Sequence, residues 1–596
     1  MKMTKSILAI LIAGLAVTGA WASPVQEEAV MAEEMSPIDM LAKVDHSAWE
    51  RGSHGGRFVV TNIAPPKTFN DIVAKETSTT DITGQLYAGV VRRSQLTLEW
   101  EPGLAERWDI SEDQKTITLH LRSGLVWSDG DPITADEIVW SVNEIYKNEE
   151  VETSVRNALN VGGELAEFEL IDDLTYRVVL PSVYAGIFEI ASIGPMPRHI
   201  FEPLIEAEGA AAVNSFWGVD TDVTTIVGNG PFLISEYLPS QRVVMTPNPN
   251  YYEKDEWGQQ LPYLDEFVIE FVEDQDTGLA RFIAGETDAW GLRGEDYGVL
   301  AERQESDNFL IYNVGPASST QFITFNQNPI EGEEDGGIEP PALTWMSNKS
   351  FRQAMAHLID RQTIINNIAF GFGYPQYSLV WTVSPYYWEG SADAAFKYDP
   401  ERAKELLDAI GYTDRDGDGV REDADGNKIE LILNTNSGND VREQIGELFS
   451  QEAKAVGVDV TFKPEAFNEL VTRLVASYDW QMILIGLTGS VDPVGGANVY
   501  PSRGSLHMIE PGQESPRRDW EAAVDAAWDE ANLTTDEEQR IRGFRKLQEL
   551  WIEEVPWAYT FAPATMHAYR NTIGNIKPHP LHGYAIRGLA DRLYVK

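Results

Sequence analysis

The sequence predicts an α/β protein with more than one domain. From the strand-like segment RFVVTNIA, which begins at Arg57, short apolar strands alternate with amphipathic helices to the end of the chain. This alternation is typical of α/β architecture. The order is clearest over residues 429–486, where three strands are separated by two helices. A chain of 596 residues is also too long for one compact core.

Residues 121–146 read as a strand, a turn and a helix in succession. An apolar run reaches the turn sequence SDGDP at residues 128–132. Thr134 and Glu137 then have the spacing of a capping box, in which each side chain accepts a hydrogen bond from an unpaired backbone N–H. Apolar residues follow at helical spacing, at Ile138, Val142, Ile145 and Tyr146.

Two later helices are delimited by their end residues. One begins after Ser347, and its apolar stripe consists of Phe351, Ala354, Met355, Leu358 and Ile359. The other has Asp399 as its N-cap, Pro400 at its first position and Gly411 at its end. This arrangement uses proline where a helix needs no N–H and glycine where the chain must leave it.

Residues 429–486 form the most complete unit. The strand IELILNTN is followed by a helix over about residues 440–456, and Gly457 is suited to a left-handed helix end. The strand VDVTF, a second helix containing Leu470 and Leu474, and the strand WQMILIG come next. Strands joined in this way by helices predict right-handed crossovers and a largely parallel sheet.

The N-terminal residues have the pattern of a cleaved signal peptide, residues 1–22. A basic start precedes an apolar run over residues 7–17, and the small-x-small sequence AWA stands before Ser23. The run is too short to span a bilayer. Because the chain has no cysteine, it cannot carry the lipid-modified cysteine of a lipoprotein. We therefore expect a periplasmic protein that is exported, soluble and not lipid-anchored.

The charge of the chain excludes two classes of partner. Its 94 acidic and 46 basic residues give a formal net charge of −48, which repels nucleic acid and anionic lipid. The apolar fraction of 43% is ordinary for a folded protein. Residues 23–56 lack sustained periodicity and are rich in Glu, Ala, Ser and Gly, so we predict a mobile N-terminal extension there.

Several segments resemble one family of transport proteins. They are PGLAERW at 102–108, the Leu121-Arg122 pair with the following DGDP turn, NGPF at 229–232, PNPNYYE at 247–253, and FITFNQNP at 322–329 followed by FRQAMAHLIDR at 351–361. Together they resemble the bacterial extracellular solute-binding proteins, family 5. These proteins deliver peptides, nickel or oligosaccharides to ABC importers.

The resemblance implies a two-lobed periplasmic binding protein fold of type 2, with an extra domain inserted in lobe one. Lobe one would comprise residues 57–95, 225–318 and 560–596. The inserted domain would comprise 96–224, and lobe two 319–559. In such a fold the ligand lies in the cleft between the lobes, which closes about a hinge.

The resemblance also implies where the ligand binds. Glu76 would lie on an early loop facing the cleft, Tyr559 near the return to lobe one, and Gly486-Leu487-Thr488 along the edge of lobe two. Peptide binders of the family carry a tryptophan near the position of Leu487, and soon afterwards an aspartate that pairs with the peptide amino group. Here Asp492 is the candidate for that aspartate, and the alternative is a plain Asp-Pro turn residue.

Two tryptophans are further ligand candidates. Trp381 and Trp388 lie in the loop-like segment LVWTVSPYYWEG, residues 379–390. Aromatic faces can stack on sugar rings or cover apolar side chains of a peptide. The alternative is packing in the protein core, which is the more common role of a tryptophan.

The sequence lacks the motifs of common hydrolases and phosphate-binding loops, so we expect neither enzymatic activity nor a cofactor. One segment has calcium-loop spacing, with acidic residues at positions 1, 3, 5 and 12 and glycine at position 6; these are Asp414, Asp416, Asp418 and Asp425. Position 12 is Asp instead of the longer Glu, and a strand follows. A solvated turn is therefore favoured over a metal site.

These observations predict a substrate-binding component that captures peptides and delivers them to an inner-membrane ABC permease. We expect it to be a monomer without stable membrane insertion. An oligosaccharide ligand is the alternative, supported by the 17 tryptophans and by leucine where the peptide binders carry tryptophan. A secreted calcium-dependent hydrolase is a more distant alternative.

Overall fold

The computed structural model describes residues 46–330, 336–579 and 590–596. The predicted signal peptide, residues 1–22, and residues 23–45 of the predicted extension lie outside these ranges. Within the described ranges, no helix is both long enough and apolar enough to cross a membrane.

Residues 46–56, the described part of the predicted extension, pack against the rest of the chain. The backbone N–H of Glu50 donates to Oδ1 of Asn575 at 2.8 Å, and the amide of Asn575 donates back to the carbonyl of Glu50 at 2.9 Å. Gly52 lies directly against the ring of Tyr263. The packed structure therefore includes residues 46–56. The sequence-based prediction assigns these residues to a mobile extension and places the start of the ordered structure at Arg57.

A four-stranded sheet, the N-terminal sheet, organises the first part of the molecule. In spatial order its strands are Arg57–Asn62, Glu266–Phe271, Arg242–Pro247 and Phe232–Leu238. The first two strands are parallel and the other neighbours antiparallel. Phe58, Phe232 and Phe267 are all buried on it, and they anchor a core that continues into the next sheet.

That next sheet, the antiparallel sheet, consists of Ala105–Ile110, Thr116–Leu121, Thr175–Val179 and Glu167–Asp172. In its second strand Ile117, Leu119 and Leu121 are buried while their neighbours are not, as expected for a strand with one face on the core. The helix Ala135–Trp140 packs beside it and continues as a π-helix, Ser141–Tyr146.

The predicted N-cap of that helix is confirmed, because Thr134 accepts a hydrogen bond from the backbone N–H of Glu137. The carboxylate of Glu137, the other member of the predicted capping box, accepts hydrogen bonds from the indole of Trp127 at 3.0 Å and from the backbone N–H of Arg198 at 3.2 Å. Buried tertiary partners thus add to the local cap.

The second part of the molecule is built on a five-stranded sheet. Its strands, in spatial order, are Asp459–Glu465, Glu430–Asn436, Met482–Thr488, Ser319–Phe325 and Trp557–Tyr559. The three strands of the predicted unit pair in parallel. Ser319–Phe325 is antiparallel to both of its neighbours, so the sheet is mixed, with one strand running against the other four. The difference arises because Ser319–Phe325 enters the sheet directly from the other part of the molecule, outside the strand–helix–strand unit.

Both faces of the five-stranded sheet are covered. One face, which includes Ile323 and Leu484, packs on a core with helices Lys349–Ala356, Pro400–Ala409 and Asp440–Ala455. The opposite face, which includes Phe322 and Ile485, packs on helices Asp519–Asn532 and Glu537–Glu554. This double burial explains the continuous apolar run MILI in the third strand.

The end signals of the second predicted helix are confirmed. Asp399 accepts a hydrogen bond from the backbone N–H of Arg402 at 2.9 Å, Pro400 is the first helical residue, and Gly411 has a φ of +82°. Gly457 likewise has a φ of +87° after the helix Asp440–Ala455, whose cap is Asn439. Local chemistry therefore sets these boundaries.

A third sheet, the crossover sheet, links the two parts. It consists of Ala289–Gly291, Phe561–Arg570 and Phe309–Pro316, and Gly373–Pro375 also pairs with the long strand. Strand Phe309–Pro316 leads almost directly into Ser319–Phe325 of the five-stranded sheet, and Trp557–Tyr559 leads back into Phe561–Arg570. The chain therefore crosses twice between the parts. We call the part between the crossings lobe two and the remainder lobe one.

The remaining elements are short or connect these sheets. The other helices are Thr77–Leu86, Val155–Leu159, Ile187–Ala191, Arg198–Glu208, Gln275–Ala284, Gly294–Ala301, Ala342–Ser347, Arg361–Thr363, Ser391–Ala394 and Phe467–Thr472. Short strand pairs join Val91–Arg93 to Trp100–Pro102, Asn160–Val161 to Glu164–Leu165, and Ile573–Gly574 to Tyr594–Val595. The antiparallel sheet and the N-terminal sheet share one core in lobe one.

Candidate functional site

Among the described residues, the two lobes touch at several places around the crossovers. Near the antiparallel sheet, the backbone N–H of Ala185 donates to the carbonyl of Asn532 at 2.8 Å. On another side, the ammonium group of Lys67 donates to the hydroxyl of Thr472 at 2.9 Å. The structure therefore has its lobes in contact, as in a closed form of a hinged protein.

A third contact is an ion pair. Arg293 of lobe one and Asp440 of lobe two lie 2.5 Å apart, and the arginine side chain is only 5% exposed. Arg293 also pairs with Asp276, Glu295 and Asp296 of its own lobe. Burial raises the pKa of Asp440. The positive charge of Arg293 lowers this pKa, and the negative charge of Asp276 raises it further. This cluster therefore carries more negative than positive charge across the lobe boundary.

An open groove lies between the lobes next to the Lys67 contact. Its volume is about 650 Å³. Lobe one contributes Pro66, Lys67 and Val219 to its walls, and lobe two contributes Asn468, Glu469, Thr472, Arg473, Ser477 and Asp479. Most of these side chains are polar or charged, so the groove suits a polar ligand or solvent.

The predicted edge Gly486-Leu487-Thr488 is the end of the third strand of the five-stranded sheet. These residues pair with Gln321, Thr320 and Ser319 respectively, directly beside the first crossing. The predicted edge therefore lies at the junction of the lobes.

Gly486 has no room for a side chain. A Cβ atom there would lie 2.9 Å from the carbonyl oxygen of Thr320 and 2.8 Å from Nη2 of Arg442. Arg442 donates to the side chain of Asn436 at 2.7 Å. The glycine thus lets a guanidinium group reach this edge. Arg442 is absent from the predicted site, because nothing in its local sequence separates it from a surface residue of a helix.

Trp381 lies against the same edge. It is 2% exposed, and a Cβ atom at Gly489 would be 2.6 Å from its ring. Gly489 is itself held by a hydrogen bond of 2.6 Å from its N–H to the carbonyl of Ser318 at the crossing. The buried indole N–H of Trp381 has no hydrogen-bond partner among the described residues.

Trp388 has a different environment. Its backbone N–H donates to the side chain of Gln548 at 3.1 Å, and the guanidinium of Arg545 lies 5.2 Å from its ring. Both partners belong to helix Glu537–Glu554. Trp388 therefore packs on that helix, and its role in ligand binding stays a prediction.

Asp492 is engaged within lobe two. Both of its carboxylate oxygens accept from Nη2 of Arg540 at 2.8 Å, and one also accepts from the backbone N–H of Val494 at 3.0 Å. The two charged side chains are 15% and 9% exposed. The guanidinium also stacks on Tyr386, 4.5 Å from the ring centroid. The carboxylate thus already has a cationic partner in this structure.

Glu76 and Tyr559 occupy contrasting positions. The carboxylate of Glu76 accepts from the hydroxyl of Thr79, and that hydroxyl in turn accepts from the backbone N–H of Lys67 at 3.0 Å. Glu76 is therefore close to the groove. Tyr559 is 3% exposed and its ring lies 5.9 Å from that of Phe322 in the interior of lobe two. Burial raises the pKa of the Tyr559 hydroxyl well above its ordinary value.

The acidic loop has a slightly different geometry from the predicted one. The carboxylates that come together are those of Asp414, Asp416 and Glu422, all within 4.8 Å of one another. Asp425 is not one of them; it is exposed beyond this group. Asp414 accepts from the N–H groups of two loop glycines, and Lys428 pairs with Asp416 at 3.1 Å and with Asp418. These contacts resemble those of a solvated turn, and calcium binding stays a prediction.

Comparison with known proteins identifies the family. Residues 99–505 match the family described as "Bacterial extracellular solute-binding proteins, family 5 Middle". A probable ABC transporter-binding protein of Deinococcus radiodurans is 32% identical over 478 residues, which are 76% of this chain and 78% of that protein. The oligopeptide-binding protein AppA of Bacillus subtilis is 24% identical, over 88% of this chain and 90% of its own. The chain belongs to this family of solute-binding proteins.

Solved structures agree with that assignment at the level of fold. AppA from Bacillus subtilis in complex with a nonapeptide matches with a TM-score of 0.76 and 21% identity, over 92% of this chain and all of that one. The periplasmic binding protein MelB of Agrobacterium fabrum in complex with stachyose matches with a TM-score of 0.79 and 20% identity, over 92% and 86%. The predicted two-lobed binding-protein fold is confirmed.

Proposed function

We propose that this protein is the substrate-binding component of an ABC importer, and that it captures peptides in the cleft between its lobes. The observation that carries the proposal is the pair of strand crossings beside the edge Gly486–Thr488. A cleft bordered by such a double connection can close around a ligand without breaking either lobe. Family membership supports the same role.

The proposed mechanism is a shift between open and closed forms. A ligand that contacts both lobes stabilises the closed form in proportion to its extra contacts there. The interlobe bonds made by Lys67, Ala185 and Arg293 belong to that form. An inner-membrane permease would then recognise the closed surface of a periplasmic, monomeric binding protein and receive the peptide.

Peptides are favoured because the relative AppA is named as an oligopeptide-binding protein and covers most of the chain. An oligosaccharide is the second candidate. It is favoured by the Asp492–Arg540 ion pair, which occupies the carboxylate otherwise expected to bind an amino group. The likeness in fold to a stachyose complex is compatible with it.

Native mass spectrometry of freshly purified protein tests both candidates, because a closed cleft can retain its ligand through purification. Thermal melting with tri-alanine, penta-alanine and stachyose then tests binding directly. A ligand at about 100 times its Kd stabilises by about 2.7 kcal/mol, which a melting curve detects. A shift with a peptide alone supports the proposal, and a shift with stachyose alone replaces it with the second candidate. Formation of products from any of the three would indicate a hydrolase.

A further inference from the structure

Lobe two inserts apolar side chains into the core of lobe one. Among the described residues, Val494 and Leu533 are the two residues of lobe two that pack with that core. Val494 is 3% exposed, and its Cγ2 atom would lie only 2.9 Å from a Cβ atom placed on Gly186 of lobe one. Leu533 approaches Gly162 in the same way, at 3.2 Å. The two lobes therefore share buried apolar surface.

Hydrogen bonds between the lobes accompany this packing. Ala185 donates its backbone N–H to the carbonyl of Asn532 at 2.8 Å. The side chain of Asn157 donates to the carbonyl of Arg503 at 3.1 Å and accepts from the backbone N–H of Ser505 at 3.2 Å. We call these three bonds and the two apolar contacts the interlobe latch.

The Asp492–Arg540 ion pair holds the loop that carries Val494. Asp492 is the N-cap of a short helix, Pro493–Gly496, and its carboxylate accepts from the backbone N–H of Val494 at 3.0 Å. The same carboxylate binds Arg540 at 2.8 Å. All of these groups belong to lobe two, so they fix Val494 independently of lobe one. A side chain that is already fixed loses little conformational entropy when it docks.

The latch lies apart from the two strand crossings. Its lobe one residues fall between positions 157 and 186, within or next to the antiparallel sheet, whereas the crossings belong to the crossover sheet. The latch contains no covalent connection between the lobes, so a rotation about the crossings can separate its two sides. Its apolar surface is then returned to water, which opposes the opening.

We propose that the interlobe latch is a closing device, which stabilises the closed form through contacts between protein groups alone. It therefore raises the affinity for every ligand that the cleft accepts. A contact made only in the closed form increases the fraction of closed molecules, and the apparent Kd falls by the same factor while the open form predominates. The inference goes beyond the proposed function, because it is the same for a peptide and for an oligosaccharide.

The test compares the wild type with Val494→Ala, Asn157→Ala and the control Val460→Ala. The first two variants each weaken the latch, one from lobe two and one from lobe one. Val460 is 7% exposed and packs in the interior of lobe two, so the control removes the same atoms away from the lobe boundary. Calorimetry with penta-alanine and stachyose measures affinity. Small-angle X-ray scattering of the ligand-free proteins measures the radius of gyration, and urea denaturation measures the free energy of unfolding.

We expect Val494→Ala and Asn157→Ala each to weaken binding about tenfold, because they remove two buried methyl groups and two hydrogen bonds respectively. The factor should be equal for both probes if the wild type binds both. The ligand-free latch variants should have a larger radius of gyration than the wild type, since more molecules are open. Val460→Ala should lower the free energy of unfolding and leave affinity and radius unchanged.

Wild-type affinity in both latch variants would overturn the inference, and a lowered free energy of unfolding would then show that the contacts persist in the open form. A loss confined to one of two bound probes would also overturn it, because the side chain would then act on that ligand. Binding of stachyose alone would replace the proposed peptide function and still test the latch. If the wild type binds neither probe, the radii decide: equal values in the wild type and both latch variants would overturn the inference.

Discussion

Replacing Asp492 with asparagine should destabilise lobe two, and it should not selectively weaken the binding of a peptide amino group. The two oxygens of this carboxylate share one guanidinium nitrogen of Arg540 at 2.8 Å, and both side chains are at least 85% buried. Arg540 is further confined by its stacking on Tyr386. Asparagine would leave that guanidinium buried without a counter-charge.

The burial of the pair decides the magnitude. An exposed ion pair contributes less than about 1 kcal/mol, whereas removing one partner of a buried pair costs about 3–5 kcal/mol. Asparagine keeps one acceptor oxygen, so we expect a loss of about 2–4 kcal/mol in the free energy of unfolding. Removing both charges, in Asp492→Leu with Arg540→Met, should cost much less than the single change.

Urea denaturation of the wild type, the single variant and the double variant measures these free energies. Calorimetry with penta-alanine and its N-acetylated form then separates the two roles of Asp492. An unchanged free energy of unfolding, together with affinity lost only for the free-amine peptide, would refute the reasoning. Asp492 would then act as the ligand anchor that the resemblance implies.

Three further predictions concern packing and pH. Gly486→Ala should lower the free energy of unfolding, measured by urea titration, by about 1–3 kcal/mol, because the added Cβ would lie 2.9 Å from a backbone oxygen. The control Gly84→Ala lies on an open helix surface. In the same titration it should be neutral or stabilising by up to about 1 kcal/mol. Burial raises the pKa of Asp591 from 3.8 to about 6, so its contribution to stability is complete below pH 3.8 and is lost as the pH rises through 6. Asp591→Asn should therefore gain about 1–3 kcal/mol at pH 8 and nothing at pH 4, by denaturation at both values. Burial in the closed form also raises the pKa of Asp440, so the closed form takes up a proton more readily. Peptide affinity measured by calorimetry should therefore rise from pH 7 to pH 5, by less than about tenfold. The rise should be smaller still in Asp440→Asn.

Local structure followed from the sequence because its causes are local. Asp399, Pro400 and Gly411 delimit a helix through bonds to their own neighbours, and the parallel strand pairs of residues 429–486 follow from the chirality of strand–helix–strand connections. The family and its two-lobed fold could be predicted from the sequence for a similar reason. Several of the segments that carry the resemblance, such as the DGDP turn and NGPF at 229–232, lie at turns or strand starts, where backbone geometry restricts the choice of residue.

Long-range partners were decided only by the tertiary structure. Asp492 reads as a turn residue or a ligand anchor until Arg540, 48 residues away, is seen beside it. Glu137 has the spacing of a local cap, yet its carboxylate bonds to Trp127 and to the backbone of Arg198. A charged group selects its partner by distance and burial in three dimensions, and residue spacing along the chain contains neither quantity.

The candidate site shows the same division. The edge Gly486–Thr488 was predictable as a strand end, but the guanidinium of Arg442 above Gly486 was not, because a helix and a sheet had to pack before the two could meet. The sequence by itself determined the elements, their order and the family. Tertiary packing decided which charges are paired within the protein.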